Sequence, residues 1–113
     1  MKLIIKRKRW LRGKPDNSAL RNADGKQCCL GFLARACGAT TKDILGLPDP
    51  GATTGIAWPK GISPGGRGYD GYGNTALVGR IISTNDSRGL LPEARERQLK
   101  ELFAEAGVEV VFE

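Results

Sequence analysis

The segment Asp24-Gly25-Lys26-Gln27-Cys28-Cys29-Leu30-Gly31 marks the start of the helix around which we expect the fold to be built. Asp24 and Gln27 have the spacing of a capping box, with a carboxylate in place of the hydroxyl at the cap. The pattern predicts a helix over residues 25–37, ended by Gly38 in the left-handed conformation. Its apolar stripe comprises Cys29, Phe32, Leu33, Ala36 and Cys37. Two adjacent cysteines therefore lie in its first turn, where a thiol can be activated or an anion held.

Strands are predicted at both ends of the chain. Residues 2–9 begin with three β-prone apolar residues and continue into cations, which suit an exposed sheet edge. Residues 108–113 form a second, valine-rich strand. Antiparallel pairing of the two strands would set Glu109 and Glu113 against Lys2 and Lys6. The same charges would tolerate a parallel register.

Three further helices are expected. A short one covers residues 41–45, with Thr40 or Thr41 as its cap. Order resumes at Thr75, where apolar residues at helical spacing predict a helix that ends near residues 85–86: Leu77, Val78, Ile81 and Ile82. The last helix starts at Pro92, ends at Gly107 and has one apolar face: Leu99, Leu102, Phe103 and Ala106.

These elements predict a single α+β domain over residues 1–113. A small sheet formed by the N- and C-terminal strands would pack on the 25–37 and 92–106 helices. Between them, residues 46–75 contain nine glycines and four prolines and predict a long, mobile surface loop. The Ile56–Pro59 stretch would fix one point of this loop to the core.

Composition excludes several functions. The chain has no histidine, which removes Ser-His-Asp and Cys-His catalysis and histidine-ligated zinc. Three cysteines are an odd number and suit a reducing cytoplasm better than a disulfide scaffold. No apolar run is long enough to cross a membrane. We therefore expect no enzyme activity, no metal, no cofactor and no membrane association.

The net charge of +6 is concentrated at the N-terminus. Seven cations precede the first acid, Asp16, and the rest of the chain is close to neutral. This arm could bind a nucleic-acid backbone or an acidic protein, with Trp10 as a stacking group. Alternatively, its cations balance carboxylates of the last helix and strand. The candidate binding residues are Lys6, Arg7, Lys8, Arg9, Trp10 and Arg12 in the arm, and Arg67, Tyr69 and Tyr72 in the Gly-rich loop.

The cysteine pair admits two interpretations. A thiolate at the helix N-terminus could be stabilised by the helix dipole and by Lys26, so that Lys26 and Cys28 form an anion site. Alternatively, Cys28 and Cys29 are small apolar residues that pack the first turn. The absence of a histidine base favours the packing interpretation.

A polar segment, Asn85-Asp86-Ser87-Arg88, lies between two predicted helices. Asp86 and Arg88 could hold a ligand or metal. The residue types are equally those that end a helix and organise a turn, and we favour that structural role.

Taken together, several motifs resemble a set of small proteins encoded by bacteriophages and prophages. The most specific is the Asp-Gly-Lys-x-Cys-Cys-Leu-Gly motif, and the others follow in order along most of the chain: Trp10-Leu11-Arg12-Gly13, Leu20, Trp58-Pro59, Asn85-Asp86, Arg95-Glu96, Leu102-Phe103 and Val108-Glu109-Val110. The stretch 61–73 has no counterpart in this pattern. The resemblance implies no catalytic residues.

What the resemblance implies is a setting: small phage proteins outside the virion often modulate host machinery by binding to it. We therefore expect a non-enzymatic accessory protein that binds a host protein or protein–nucleic-acid complex, such as a defence or nucleic-acid-processing system (anti-CRISPR activity is one instance). Direct nucleic-acid binding through the basic arm is one alternative. A small-molecule or nucleotide site at residues 25–28 is another.

Overall fold

A computed structural model describes residues 1–65 and 73–113. The two strands and four α-helices, in chain order, are β1 Lys2–Ile5, α1 Cys29–Ala36, α2 Thr41–Ile44, α3 Ala76–Asp86, α4 Pro92–Ala104 and β2 Glu109–Phe112. Short 3-10 helices lie at Arg7–Arg9, Pro15–Asn17 and Pro50–Ala52. The α+β class and the small sheet made from the two chain ends are confirmed. Within the described ranges, no helix has the length and apolarity needed to span a bilayer.

The two terminal strands pair in parallel, so the parallel register is the one that forms. Lys2 lies opposite Glu109, and one face of the sheet is buried: Leu3, Ile5, Val110 and Phe112. β1 ends at Ile5, not at residue 9 as predicted. Phe112, the partner of Ile5, is also the last residue of β2. The Arg7 amide donates to the Glu113 carbonyl, and the chain then turns into the 3-10 helix Arg7–Arg9.

α1 begins at Cys29, four residues later than predicted, and the capping box at Asp24 is wrong. The Asn22 side chain accepts the amides of Asp24 and Lys26, which closes a turn over residues 22–26. Gly25 sits at its tip with φ +80°. The chain then pairs with the arm through a bridge between Trp10 and Gln27. This tertiary contact places the start of the helix later in the sequence.

The buried face of α1 also differs from the predicted stripe. Leu30 and Ala34 are fully buried, whereas Ala36 is exposed and Cys37 is partly exposed. Gly31 explains the difference, because a Cβ there would lie 1.8 Å from the carbonyl oxygen of Leu20. The helix is thus pressed against the Leu20 backbone on a side that the predicted apolar stripe did not include.

The other helices follow the predictions closely. Thr40 caps α2 in a full capping box with Asp43. Thr75 caps α3 by accepting the amide of Val78, and its hydroxyl donates to the Gly61 carbonyl. α4 begins with Pro92, and Gly107 leads into β2 with φ +73°.

The described part of the 46–75 loop is packed at several points. Trp58 is buried as predicted, and its indole donates to Thr53 at 3.0 Å. Ile62 is fully buried. Residues 66–72, which include the candidate contacts Arg67, Tyr69 and Tyr72, lie outside the described residues, so the mobility and role of this part of the loop stay predictions.

Candidate functional site

One buried amide joins the N-terminal arm to α1 and α3. Asn85, 1% exposed, accepts from the indole of Trp10 at 2.8 Å and from the backbone amide of Cys29 at 3.2 Å. Its own NH₂ group donates to the Leu11 carbonyl at 3.0 Å and to the Asp86 carboxylate at 2.8 Å. Every hydrogen-bonding position of the amide is occupied by the protein itself.

A second buried polar side chain, Arg95 of α4, holds the C-terminal end of α3. Its guanidinium donates to the carbonyls of Thr84, Asn85, Ser87 and Leu90 at 2.7–3.3 Å. The first three carbonyls lie at the C-terminal end of α3, where backbone acceptors lack partners within the helix. A cation there also interacts favourably with the helix dipole. Burial lowers the pKa of Arg95. The side chain is thus a structural cap.

The structure brings together motifs that lie far apart in the sequence. Trp10-Leu11, Cys28-Cys29, Asn85-Asp86 and Arg95 all meet around the Asn85 side chain and the end of α3. The contacts of Asn85 are structural, but they connect the arm and α1 to α3, whereas the sequence predicted that this residue ends a helix and organises a turn. Sequence analysis named Arg95 only as part of a motif and did not predict its burial, because nothing in a polar helix face marks one arginine as buried.

Both cysteines at the start of α1 belong to the core. Cys28 is 4% exposed and Cys29 is fully buried. Burial raises the pKa of Cys28 to about 12 and that of Cys29 well above its ordinary value, so both thiols are neutral at physiological pH. Since the thiolate is the nucleophile, neither is activated. Lys26 is exposed and Cys28 is enclosed, so the two do not form the anticipated anion site.

The basic arm divides into two groups of cations. Lys6 pairs with Glu113 at 2.5 Å, and Arg7 forms a bidentate pair with Glu96 at 2.6 and 2.8 Å. These contacts lower the pKa values of both glutamates. For these two residues, the balancing of carboxylates anticipated from the sequence is what the structure shows.

Trp10 is not available for stacking. Its indole is 4% exposed, packs on Phe112 with ring centroids 4.9 Å apart, and is covered by the Arg12 guanidinium at 4.4 Å. The predicted stacking role is therefore wrong for the native fold. Arg12 also donates to the carbonyls of Arg7 and Trp10, so it fixes the turn of the arm.

The remaining cations of the arm lie close to the 22–26 turn. Lys14 and Lys26 line a shallow hollow of about 310 Å³, whose other walls are Leu11, Asn22 and Asp24. Within the same turn, the guanidinium groups of Arg9 and Arg21 both approach Gly25. We call Arg9, Lys14, Arg21 and Lys26 the cationic ring. Among the described residues, none of the four forms an ion pair.

Charge patterning predicted only part of this ring. Arg9 belongs to the arm, and Lys26 was a candidate for a different reason. Arg21 was missed, since it stands alone in a loop. Its backbone pairs with residues 45–46, and the Gln27 side chain holds its guanidinium beside Gly25. In the part of the chain that the structure describes, no His, Cys, Asp or Glu side chains are grouped as a metal would require.

Comparison with known proteins adds no assignment: no family model, no curated protein and no solved structure matches this chain.

Proposed function

We propose that this protein is a non-enzymatic phage accessory protein that binds the nucleic-acid component of a host nucleic-acid-processing or defence complex in the host cytoplasm. The observation that carries the proposal is the cationic ring. Four cations from three separate segments surround one ordered turn, and none of them pairs with a carboxylate in the described residues. The four cations outnumber the one carboxylate that lines the hollow, Asp24, and concentrated charge of this kind attracts polyanions.

The ring is held on a stable framework. The 22–26 turn is closed by the Asn22 side chain. Two backbone hydrogen bonds fix the arm to the turn: the Leu11 amide donates to the Gln27 carbonyl at 2.7 Å, and the Gln27 amide donates to the Arg9 carbonyl at 2.8 Å. Cations held at fixed positions lose less entropy on binding than flexible ones. The spacing of charge is therefore a property of the fold and not only of the composition.

The available chemistry favours phosphates over bases. Trp10 is enclosed by Phe112 and Arg12, and no aromatic side chain is among the exposed large hydrophobic residues of the described chain. Without an exposed stacking group in the ranges 1–65 and 73–113, contacts of the ring with the nucleic-acid backbone dominate, and these depend strongly on salt and weakly on sequence. The buried, neutral thiols and the fully occupied Asn85 support a binding role over a catalytic one.

The test is fluorescence anisotropy with a labelled 20-base-pair duplex, titrated at 50 to 200 mM salt. We expect wild-type affinity to fall steeply with salt. The triple variant Arg9→Gln, Lys14→Gln, Lys26→Gln, which neutralises three of the four ring cations, should bind about tenfold or more weakly at low salt, with a shallower salt slope.

A matched control separates local from overall charge. The variant Lys42→Gln, Arg80→Gln, Arg88→Gln loses the same net charge, but Arg80 and Arg88 are already paired with Glu105 and Asp16. It should bind nearly as well as wild type. Equal losses in the two triple variants would show that only net charge matters, and no binding by wild type at 50 mM salt would overturn the proposal.

The host complex is tested by affinity capture from host lysate, with and without nuclease. A host complex released by nuclease would support contact through nucleic acid. A stoichiometric protein that survives nuclease would instead identify a direct protein target and replace this proposal.

A further inference from the structure

Two guanidinium groups converge on one point of the surface. Nη1 of Arg9 lies 3.5 Å, and Nη2 of Arg21 lies 3.2 Å, from the position that a Cβ on Gly25 would occupy. Gly25 has no side chain and φ +80°, so the backbone between the two arginines is bare. A small group placed above Gly25 is therefore within reach of both.

The backbone of both arginines is anchored. The Arg9 carbonyl accepts from Gln27, and the Arg21 carbonyl accepts from Gly46 at 2.8 Å. The Arg21 side chain is held as well, because its Nη1 donates to the Gln27 side chain at 3.0 Å and leaves Nη2 directed at Gly25. Arg21 is partly buried and Arg9 is exposed, so the pair opens to solvent on one side.

No carboxylate balances this pair in the described ranges. Asp24 is adjacent in sequence, yet it makes no ion pair with either arginine. Two like charges held together are unfavourable unless an anion lies between them. Phosphate suits the arrangement, because a guanidinium presents paired N–H groups that match phosphate oxygens.

We propose that Arg9 and Arg21 form a clamp for one phosphate group, bound above Gly25, and that this phosphate belongs to a nucleic-acid backbone. The inference rests on the proposed function and makes it specific. The other ring cations, Lys14 and Lys26, supply diffuse attraction, whereas the arginine clamp fixes the position of the strand. Gly25 is required because any side chain would occupy the phosphate position.

The test keeps charge constant and removes the guanidinium geometry. In the duplex titration, Arg9→Lys and Arg21→Lys should each weaken binding about fivefold to tenfold, and the salt slope should stay close to that of wild type. Arg9 is exposed, so its variant leaves the fold intact. The control pair Arg80→Lys, Arg88→Lys should bind as wild type does. Melting curves check that Arg21→Lys is folded.

A second probe separates the two sources of phosphate. When inorganic phosphate is mixed with the protein, binding should broaden the phosphorus NMR resonance of the phosphate. The broadening should be smaller with the Arg9→Lys variant. Lysine variants that bind duplex like wild type would overturn the clamp and leave the proposed function standing. Binding of inorganic phosphate without duplex binding would overturn both the nucleic-acid source and the proposed function. Absence of both signals in wild type would overturn the clamp itself.

Discussion

At the scale of single residues, the buried Asn85 amide connects the N-terminal arm to α1 and α3. Replacing it with alanine leaves the Trp10 indole N–H, the Cys29 amide and the Leu11 carbonyl without their partner in a buried site. Each unsatisfied buried group costs about 1–3 kcal/mol. We therefore expect Asn85→Ala to lower the free energy of unfolding by about 3 kcal/mol or more, measured by urea denaturation.

A change on the exposed side of the same helix provides the control. Ser83 lies two residues earlier in α3 and is exposed, so Ser83→Ala should change stability by less than about 0.5 kcal/mol. A loss at Asn85 no greater than that at Ser83 would show that the amide does not hold the arm to the core.

Sequence reasoning at this scale succeeds where chemistry alone decides. The absence of histidine favoured core cysteines, and Cys28 and Cys29 are buried. It fails for Asn85 and Arg95, whose burial depends on which carbonyls and indoles the fold brings to them. Apolar periodicity contains no information about such partners.

At the scale of elements, Gly31 determines how α1 packs. A Cβ there would meet the Leu20 carbonyl oxygen at 1.8 Å, and backbone cannot move aside as a flexible side chain can. We expect Gly31→Ala to destabilise the protein by about 3 kcal/mol or more, because the helix must shift from the core. Thermal and urea unfolding measure the change.

Gly79, in α3, is the matched control. It is also helical, but a Cβ added there would meet nothing within 4 Å. Gly79→Ala should therefore stabilise by about 0.5–1 kcal/mol, since alanine loses less backbone entropy in a helix. If the two substitutions had the same effect, close packing at Gly31 would not be the reason for the glycine.

The elements themselves show where local patterns suffice. α2, α3 and α4 have local signals, a capping threonine or an initial proline, and each begins as predicted. α1 does not, because the bridge between Trp10 and Gln27 and the turn closed by Asn22 take up the residues that would have been its first turn. The start of that helix is set by residues distant in sequence.

At the scale of the whole molecule, one run of charge in the sequence becomes two surfaces in the fold. Lys6 and Arg7 tie the N-terminus to the end of the chain, whereas Arg9 and Lys14 join Arg21 and Lys26 around the turn. Charge counting located the arm. It could not divide the arm, since the division depends on the parallel pairing of β1 with β2.

The ion pairs Lys6–Glu113 and Arg7–Glu96 predict that the stability of the protein depends on pH. Lys6 and Arg7 lower the native pKa values of Glu113 and Glu96, so near pH 4 the folded protein binds fewer protons than the unfolded chain. The stabilisation is present above the ordinary glutamate pKa of about 4.3 and is lost as the pH falls through the lower native values. We expect the urea midpoint of wild type to exceed that of the double variant Glu96→Gln, Glu113→Gln at pH 7, and the two midpoints to converge toward pH 3.

The control double variant Glu93→Gln, Glu101→Gln changes two exposed carboxylates of α4 that form no ion pair in the described residues. A gap that persists unchanged at pH 3 would contradict the ionic tie.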